Sequence, residues 1–414
     1  MKPLQYYFAG AASWFLAYGI QSVIFSWLVT IVLEQPAAKV GFAQMAFLLP
    51  AMIFMLLGGS LADQWGGHRV AVMGHLLAAS APLFLTIVIL LGHMDYSMII
   101  VFAVVMGIAQ AFVTPARDGL LAQVAEGQIQ RRVVQASMIQ FSLQMVGFGA
   151  AAMADLLGAV LILSFQCALM LLGAFFFYRM QLPAVQTEPG PATGMVRQVV
   201  SSISEGFQTV RSNGYMSTVV LQNCAMGIFF MGSYIVTIPI LIRETYAGSS
   251  VELSFINAAN SLGLVLTIMA LLRFGEIHRQ GRALLISQAI GSIVLASASF
   301  KAGFSLLTAS IFVWGLCGGI AMTMSRTIMQ ELAPETQRAR MMAFYSFSFM
   351  GAGPIGAVVS GYLVEWFGAS QALLISSTAM FMVVMTVALR SPLWLLDTSP
   401  EKLAAARSGV QSGN

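Results

Sequence analysis

The sequence predicts an all-α membrane protein of twelve transmembrane helices in two six-helix, pseudo-symmetric bundles. Three observations predict it. The 414 residues are 58% hydrophobic and only 9% charged, whereas a soluble domain carries about a quarter charged residues. Apolar runs recur twelve times, each near the roughly 20 residues that cross a bilayer. The two halves also repeat one pattern of charges and glycines.

The twelve runs cover 8–33, 41–62, 70–91, 97–124, 133–156, 158–180, 215–242, 252–274, 283–300, 303–329, 341–364 and 367–390. The opening "MKPLQYYFAGAASWFLAYGI" reads as a retained first span, because it has one lysine and no small-residue cleavage site. Spans 5–6 and 11–12 are separated only by "DLLGA" and "EWFGA". The organisation is a six-span bundle over 1–180, a linker over 181–213, a second bundle over 214–392 and a tail over 393–414. The linker begins "LPAVQTEPGPATG", which Pro and Gly keep irregular. It continues "MVRQVVSSISEGFQTVRSN", an amphipathic pattern expected to lie on the inner membrane face.

Lys and Arg orient the chain. With the N-terminus inside, the inner side holds Lys2, Arg69, Arg131, Arg132, Arg179, Arg197, Arg211, Arg273, Arg279, Arg282, Arg338, Arg340, Arg390, Lys402 and Arg407. The outer side holds Lys39, Arg243 and Lys301, and Arg117 and Arg326 lie within spans 4 and 10. Both termini are therefore expected in the cytoplasm, and the protein in a cell inner (plasma) membrane.

The repeat is carried by charges. Arg117, Glu126 and Arg131 in the first half match Arg326, Glu335 and Arg340 in the second at the same spacing. A glycine-bearing span follows each set, with Gly147 and Gly149, then Gly351, Gly353 and Gly356. Parallel six-span repeats around a central substrate site are the layout of many secondary transporters.

The composition excludes several classes. A net charge of +4, placed mostly on one side, does not point to nucleic acid. Cys167, Cys224 and Cys317 lie singly in apolar runs and the four histidines are scattered, so neither a disulfide framework nor a metal site is expected. No phosphate-binding loop and no cluster of His, Asp or Glu suggests a pump or an enzyme. No cofactor is expected.

Intramembrane charge is costly and marks functional candidates. Span 4 offers Arg117 and Asp118, and span 10 offers Arg326 and Glu331. They either hold an inner gate by charge pairing or touch substrate or protons directly. Asp155 and Glu365, near external turns, read as capping or interfacial groups. The neutral candidates for a central cavity are Gln21, Trp27, Gln140, Gln144, Asn223, Asn257 and Asn260. Asn257 and Asn260 share a helix face, as do Gln140 and Gln144. All could instead bond helices together. In span 11, "GAGPIGAVVSG" places Gly351, Gly353, Pro354 and Gly356 where a hinge or close packing is open. The 27 Met and 28 Phe suit a cavity tolerant of varied apolar ligands, or simply lipid.

The loop "GGSLADQWGGHR" between spans 2 and 3 resembles the signature of the major facilitator superfamily. Gly59, Asp63 and Gly66 match it. Its basic positions hold Gln64, Gly67 and His68, and Arg69 comes one place late. "GIAQAFVTPARDGLLAQV" and "SEGFQTVRSN" are similar to the bacterial exporter branch that includes enterobactin and macrolide exporters. The Gly-Pro pair that drug antiporters carry in span 5 stands instead in span 11, which counts against proton antiport. The resemblance implies that Asp63 meets the start of span 11 near Arg340 to Ser346 as a latch on the inner gate. Arg69 is expected to pair with Asp118 or Glu126, and Glu331 and Arg326 to belong to the same latch.

The expected function is alternating-access export of a small amphipathic compound (a siderophore, drug or lipid-like molecule), with protons as a candidate coupling ion. The partners are that substrate and the lipid bilayer, and the chain is expected to act as a monomer. Uptake or facilitated transport of a metabolite or siderophore, and a non-transporting membrane sensor, are the alternatives.

Overall fold

The computed structural model describes residues 2–125, 128–180, 208, 210–274, 277–300, 302–333 and 338–396. The amphipathic segment expected in the linker, and the tail beyond 396, fall outside these residues. Twelve long helices are present among the described residues. α1 runs Pro3–Trp27, α2 Ala37–Trp65, α3 Gly67–Leu90, α4 Tyr96–Val124, α5 Ile129–Ala151 and α6 Ala159–Arg179. α7 starts at Gly214–Ala225 and reaches Tyr246 through π-helical turns; α8 runs Ser250–Phe274, α9 Gln280–Ser297, α10 Phe304–Leu332, α11 Arg338–Phe367 and α12 Ala369–Arg390.

Eleven of these are long and apolar enough to span a membrane. The exception is α5. It carries Arg131 and Arg132 near its start, then Gln135, Gln140 and Gln144, so its N-terminal half is too polar to qualify.

Local chemistry sets the helix ends. The Asp95 carboxylate accepts from the Met98 amide at 3.1 Å and caps α4. The Asn213 side chain accepts from the Tyr215 and Met216 amides at 3.0 and 3.2 Å and caps α7. Gly158 and Gly368 make the corresponding turns before α6 and α12, at φ 81° and 80°. A Cβ is disfavoured at such angles, so the two halves use the same residue at the same turn.

α3 shows which surfaces meet lipid. Met73, Leu76, Leu83, Ile87 and Leu90 are exposed in one stripe, while Ala71, Ala78, Ala81 and Leu85 are buried. Large residues on the exposed stripe and, Leu85 apart, small ones inside are what close helix packing in a lipid solvent favours.

The chain forms two compact units. The first takes α1–α6 together with Ile242–Ala258, the C-terminal end of α7 and the N-terminal end of α8. In it α1 packs on α5, α2 on α4, and α3 on both α4 and α6. The second holds the remainder of α7 and α8 with α9–α12. There α7 packs on α11, and α9 on both α10 and α12. Glycines set the equivalent contacts. A Cβ on Gly19 of α1 would meet the Gln144 carbonyl of α5, and one on Gly147 the Leu16 carbonyl of α1. In the second unit a Cβ on Gly232 of α7 would meet the Gly356 carbonyl of α11, and one on Gly356 the Gly227 carbonyl. The lead helix of each half also contains π-helical turns, Leu28–Val32 in α1 and Met226–Met231 with Ser233–Thr237 in α7, a distortion often found where a helix carries function.

Candidate functional site

The end of the first unit that carries the α2–α3 corner holds Arg117. The residue is 8% exposed, and its guanidinium lies 4.4 Å from the centre of the Phe15 ring of α1. It pairs with its neighbour Asp118 at 3.5 Å. Asp118 is 68% exposed, so water weakens that pair, and the aromatic face is the better partner for a desolvated cation. The expected Arg69–Asp118 pair is not seen: Asp118 is engaged by Arg117 at 3.5 Å instead. Glu126, the other expected partner of Arg69, lies outside the described residues.

The signature loop is a tight corner. Gly66, at φ 87°, makes the turn by itself, and Gly67 already belongs to α3. Gly59 lies within α2 beside Pro115 of α4. Asp63 and Arg69 are exposed. The side chain of Arg340, expected opposite Asp63, lies outside the described residues.

The charge repeat does not extend to burial. Arg117 is buried, but Arg326 is exposed on α10. Glu331, one turn further on, accepts a hydrogen bond from Gln280 Nε2 at 3.0 Å. It therefore bonds to the start of α9, within its own unit.

The neutral candidates divide. Gln21 is buried and its Oε1 accepts from Gln166 Nε2 of α6 at 2.7 Å. Trp27 donates through Nε1 to Asp155 at 3.0 Å. Asn223 accepts from Ser325 of α10 at 3.3 Å and donates to Ser348 of α11 at 3.4 Å. These three bond helices together. Gln140, Gln144, Asn257 and Asn260 are half-buried; Asn257 donates to the Leu253 carbonyl one turn back in its own helix at 2.8 Å. Pro354 and Gly353 are buried, and α11 continues through the proline. Gly356 packs against α7.

A cluster at the opposite end of the first unit, at the turn between α5 and α6, was not legible as a unit in the sequence. Asp155, on a one-turn helix at Ala154–Leu157, accepts from Ser250 Oγ at 2.6 Å and from the Ser250 amide at 2.9 Å, besides Trp27. Burial pushes its carboxyl up, but the hydrogen bonds from Ser250, Ser249 and Trp27 outweigh it and hold the pKa below the ordinary aspartate value. Nearby, Arg243 donates through Nη1 to the carbonyls of Thr30 and Gln35 at 2.9 and 3.1 Å, meeting the electronegative end of α1. Together these contacts clamp residues 242–258 to α1 and to the turn after α5. The sequence does contain Asp155 and Arg243 as outer charges, but their partners lie 95 and over 200 residues away.

Two six-helix halves with matched packing pairs and matched turns define a major facilitator transporter. Solved structures agree on the fold: a nucleoside transporter NupG (TM-score 0.71, 15% identity, 93% of this chain and 98% of that one), a proton-dependent oligopeptide transporter (0.72, 11%, 99% and 98%) and a D-xylose-proton symporter (0.69, 15%, 96% and 99%). Residues 8–405 match the family model described as transmembrane secretion effector, and the chain belongs to that family. It is similar to Macrolide efflux protein A of Streptococcus pyogenes, 20% identical over 390 residues, 91% of this chain and 94% of that protein. A 140-residue stretch is 25% identical to the uncharacterized MFS-type transporter YwfA of Bacillus subtilis, covering 34% of this chain and 32% of that one.

Proposed function

We propose that the protein exports a small amphipathic organic compound across a cell inner membrane by alternating access, as a monomer with both termini in the cytoplasm and with protons as the candidate coupling ion. The observation that carries this reading is the end-to-end similarity to a protein named for macrolide efflux, within a family described by secretion. In this reading Gln140, Gln144, Asn257 and Asn260 line the substrate path, since their half-buried amides are the best placed to meet a polar group on an otherwise apolar ligand. Asp63, Arg69, Arg117 and Asp118 work the inner gate, with Arg326, Glu331, Arg340 and Glu126 as further members of the latch. Asp155, Ser250 and Trp27 hold the outer end.

Proteoliposomes with an imposed pH gradient test the reading, using a panel of macrolides, siderophores, cationic dyes and lysolipids. At least one compound is expected to move, and a protonophore to abolish that movement. If none moves and none quenches tryptophan fluorescence, export of this class is refuted. Movement unaffected by the protonophore would refute only the proton coupling.

A further inference from the structure

The chain leaving α12 folds back over the start of α9. Ser391 Oγ accepts from the Leu393 amide at 3.0 Å and opens a 3₁₀ turn, Pro392–Leu395. Leu393 and Leu396 are buried, whereas Trp394 and Leu395 are 36% and 72% exposed. Gly281, in the first turn of α9, permits the close approach: a Cβ there would meet the Leu393 carbonyl. These residues all belong to the second unit, and what they bind is independent of what the protein moves.

The turn follows directly on α12, whose 22 residues are long and apolar enough to cross a bilayer. It therefore falls at the headgroup level, where an indole is favoured by its apolar body and single N–H. The same turn fixes a cation. Arg282 Nε donates to the Trp394 carbonyl at 3.2 Å, and the guanidinium lies 5.6 Å from the centre of the Trp394 ring, within cation–π range. That bond uses one of the five guanidinium N–H groups. It also holds the planar fork in place, so less side-chain entropy is lost when a ligand binds. Arg282 is half-buried, so water screens it less than a fully exposed cation. Arg279, just before α9, and Arg390, the last residue of α12, are exposed and flank the Gly281–Leu393 contact along the chain. Glu331 of α10, which accepts from Gln280 at 3.0 Å, offsets part of this charge.

An oriented guanidinium, two flanking arginines and an exposed apolar edge at the end of a span call for a phosphate carried on acyl chains. We propose that this corner binds an anionic phospholipid. Its phosphate sits on the Nη groups of Arg282, with Arg279 and Arg390 adding attraction, and its acyl chains lie against Trp394 and Leu395.

The test is native mass spectrometry of the full chain, titrated with phosphatidylglycerol and separately with phosphatidylcholine. Phosphatidylglycerol is expected to bind the tighter. Its first Kd should rise about tenfold in Arg282→Gln, the order of losing one hydrogen-bonded charge. Arg282→Lys keeps the charge but loses the planar fork; its Kd should fall between, and it keeps the proposal testable if the Gln variant misfolds. Gly281→Val touches no charge, yet should weaken binding, because the added carbon displaces the Leu393 carbonyl. Lys39→Gln removes the same charge from the first unit and should change nothing. In phosphatidylcholine nanodiscs, added phosphatidylglycerol should slow hydrogen–deuterium exchange of peptides covering 280–285 and 391–396 in wild type, and not in Arg282→Gln. Equal Kd for Arg282→Gln and wild type, equal affinity for the two lipids, or an equal loss in Lys39→Gln overturns the proposal. So do unchanged binding in Gly281→Val and displacement of the lipid by an equal concentration of soluble glycerol phosphate.

Discussion

Replacing Asp155 by Ala should loosen residues 242–258 from the first unit. The wild-type carboxylate accepts three hydrogen bonds, at 2.6, 2.9 and 3.0 Å. Bonds to a charged acceptor contribute about 1.5–3 kcal/mol each when shielded. The Asp155 side chain is exposed, and solvent screening reduces that contribution, so about 1–3 kcal/mol for the whole cluster is the consistent magnitude. That corresponds to roughly a 5- to 150-fold shift in the opening equilibrium of this segment. Hydrogen–deuterium exchange of the peptide covering 246–254 reads it directly, because the Ser250 amide donates to Asp155 and the Ser249 amide to Glu252 at 2.7 Å. Exchange there should accelerate at least fivefold, with the α3 and α9 peptides unchanged. An unchanged rate in a variant that melts like wild type would refute the clamp. The pH dependence has a definite sign. A carboxyl held below its ordinary value contributes stability above that value and loses it as pH falls through the lowered one. Protection of this peptide, corrected for intrinsic exchange, should therefore be flat from pH 5 to 8 and fall only under stronger acid.

Gly147→Ala should lower the melting temperature through overpacking of about 1–3 kcal/mol against the Leu16 carbonyl. Gly149→Ala, where nothing lies within 4 Å of the added carbon, should leave it within error; equal effects would remove the α1–α5 packing argument. Arg117→Ala should impair transport more than Arg326→Ala, since only Arg117 is buried and stacked on an aromatic ring; equal activities would separate burial from mechanism. Gln21→Leu and Gln166→Leu should each destabilise, and a double-mutant cycle should show a coupling of about 1 kcal/mol. A coupling of zero would mean that their 2.7 Å hydrogen bond does not join α1 to α6.

Much of the architecture was legible because a membrane span is a one-dimensional signal. Span lengths follow from bilayer thickness, and the structure starts and ends its helices within a few residues of the apolar runs. The turns at Gly158 and Gly368 were visible as repeats for the same local reason: an unusual backbone angle restricts the residue type. α5 was placed correctly as a helix, yet its polar N-terminal half shows that apolarity and helicity are separate properties.

Contacts between distant helices were not legible. Gln21, Trp27 and Asn223 look alike in sequence to Gln140, Gln144 and Asn260, and only packing separates those that join helices from those left half-buried. Arg117 and Arg326 occupy equivalent places in the repeat, but a ring at Phe15 receives one and solvent receives the other. Asp155 gave no sign of its partner, because a hydrogen bond depends on distances of a few ångströms that chain separation does not encode. The sequence alone determined which segments must leave water and how they repeat, since hydrophobic transfer is additive along the chain. Which polar groups meet and which arginine is sheltered were decided by the tertiary structure, because they arise only when helices far apart in sequence are brought side by side.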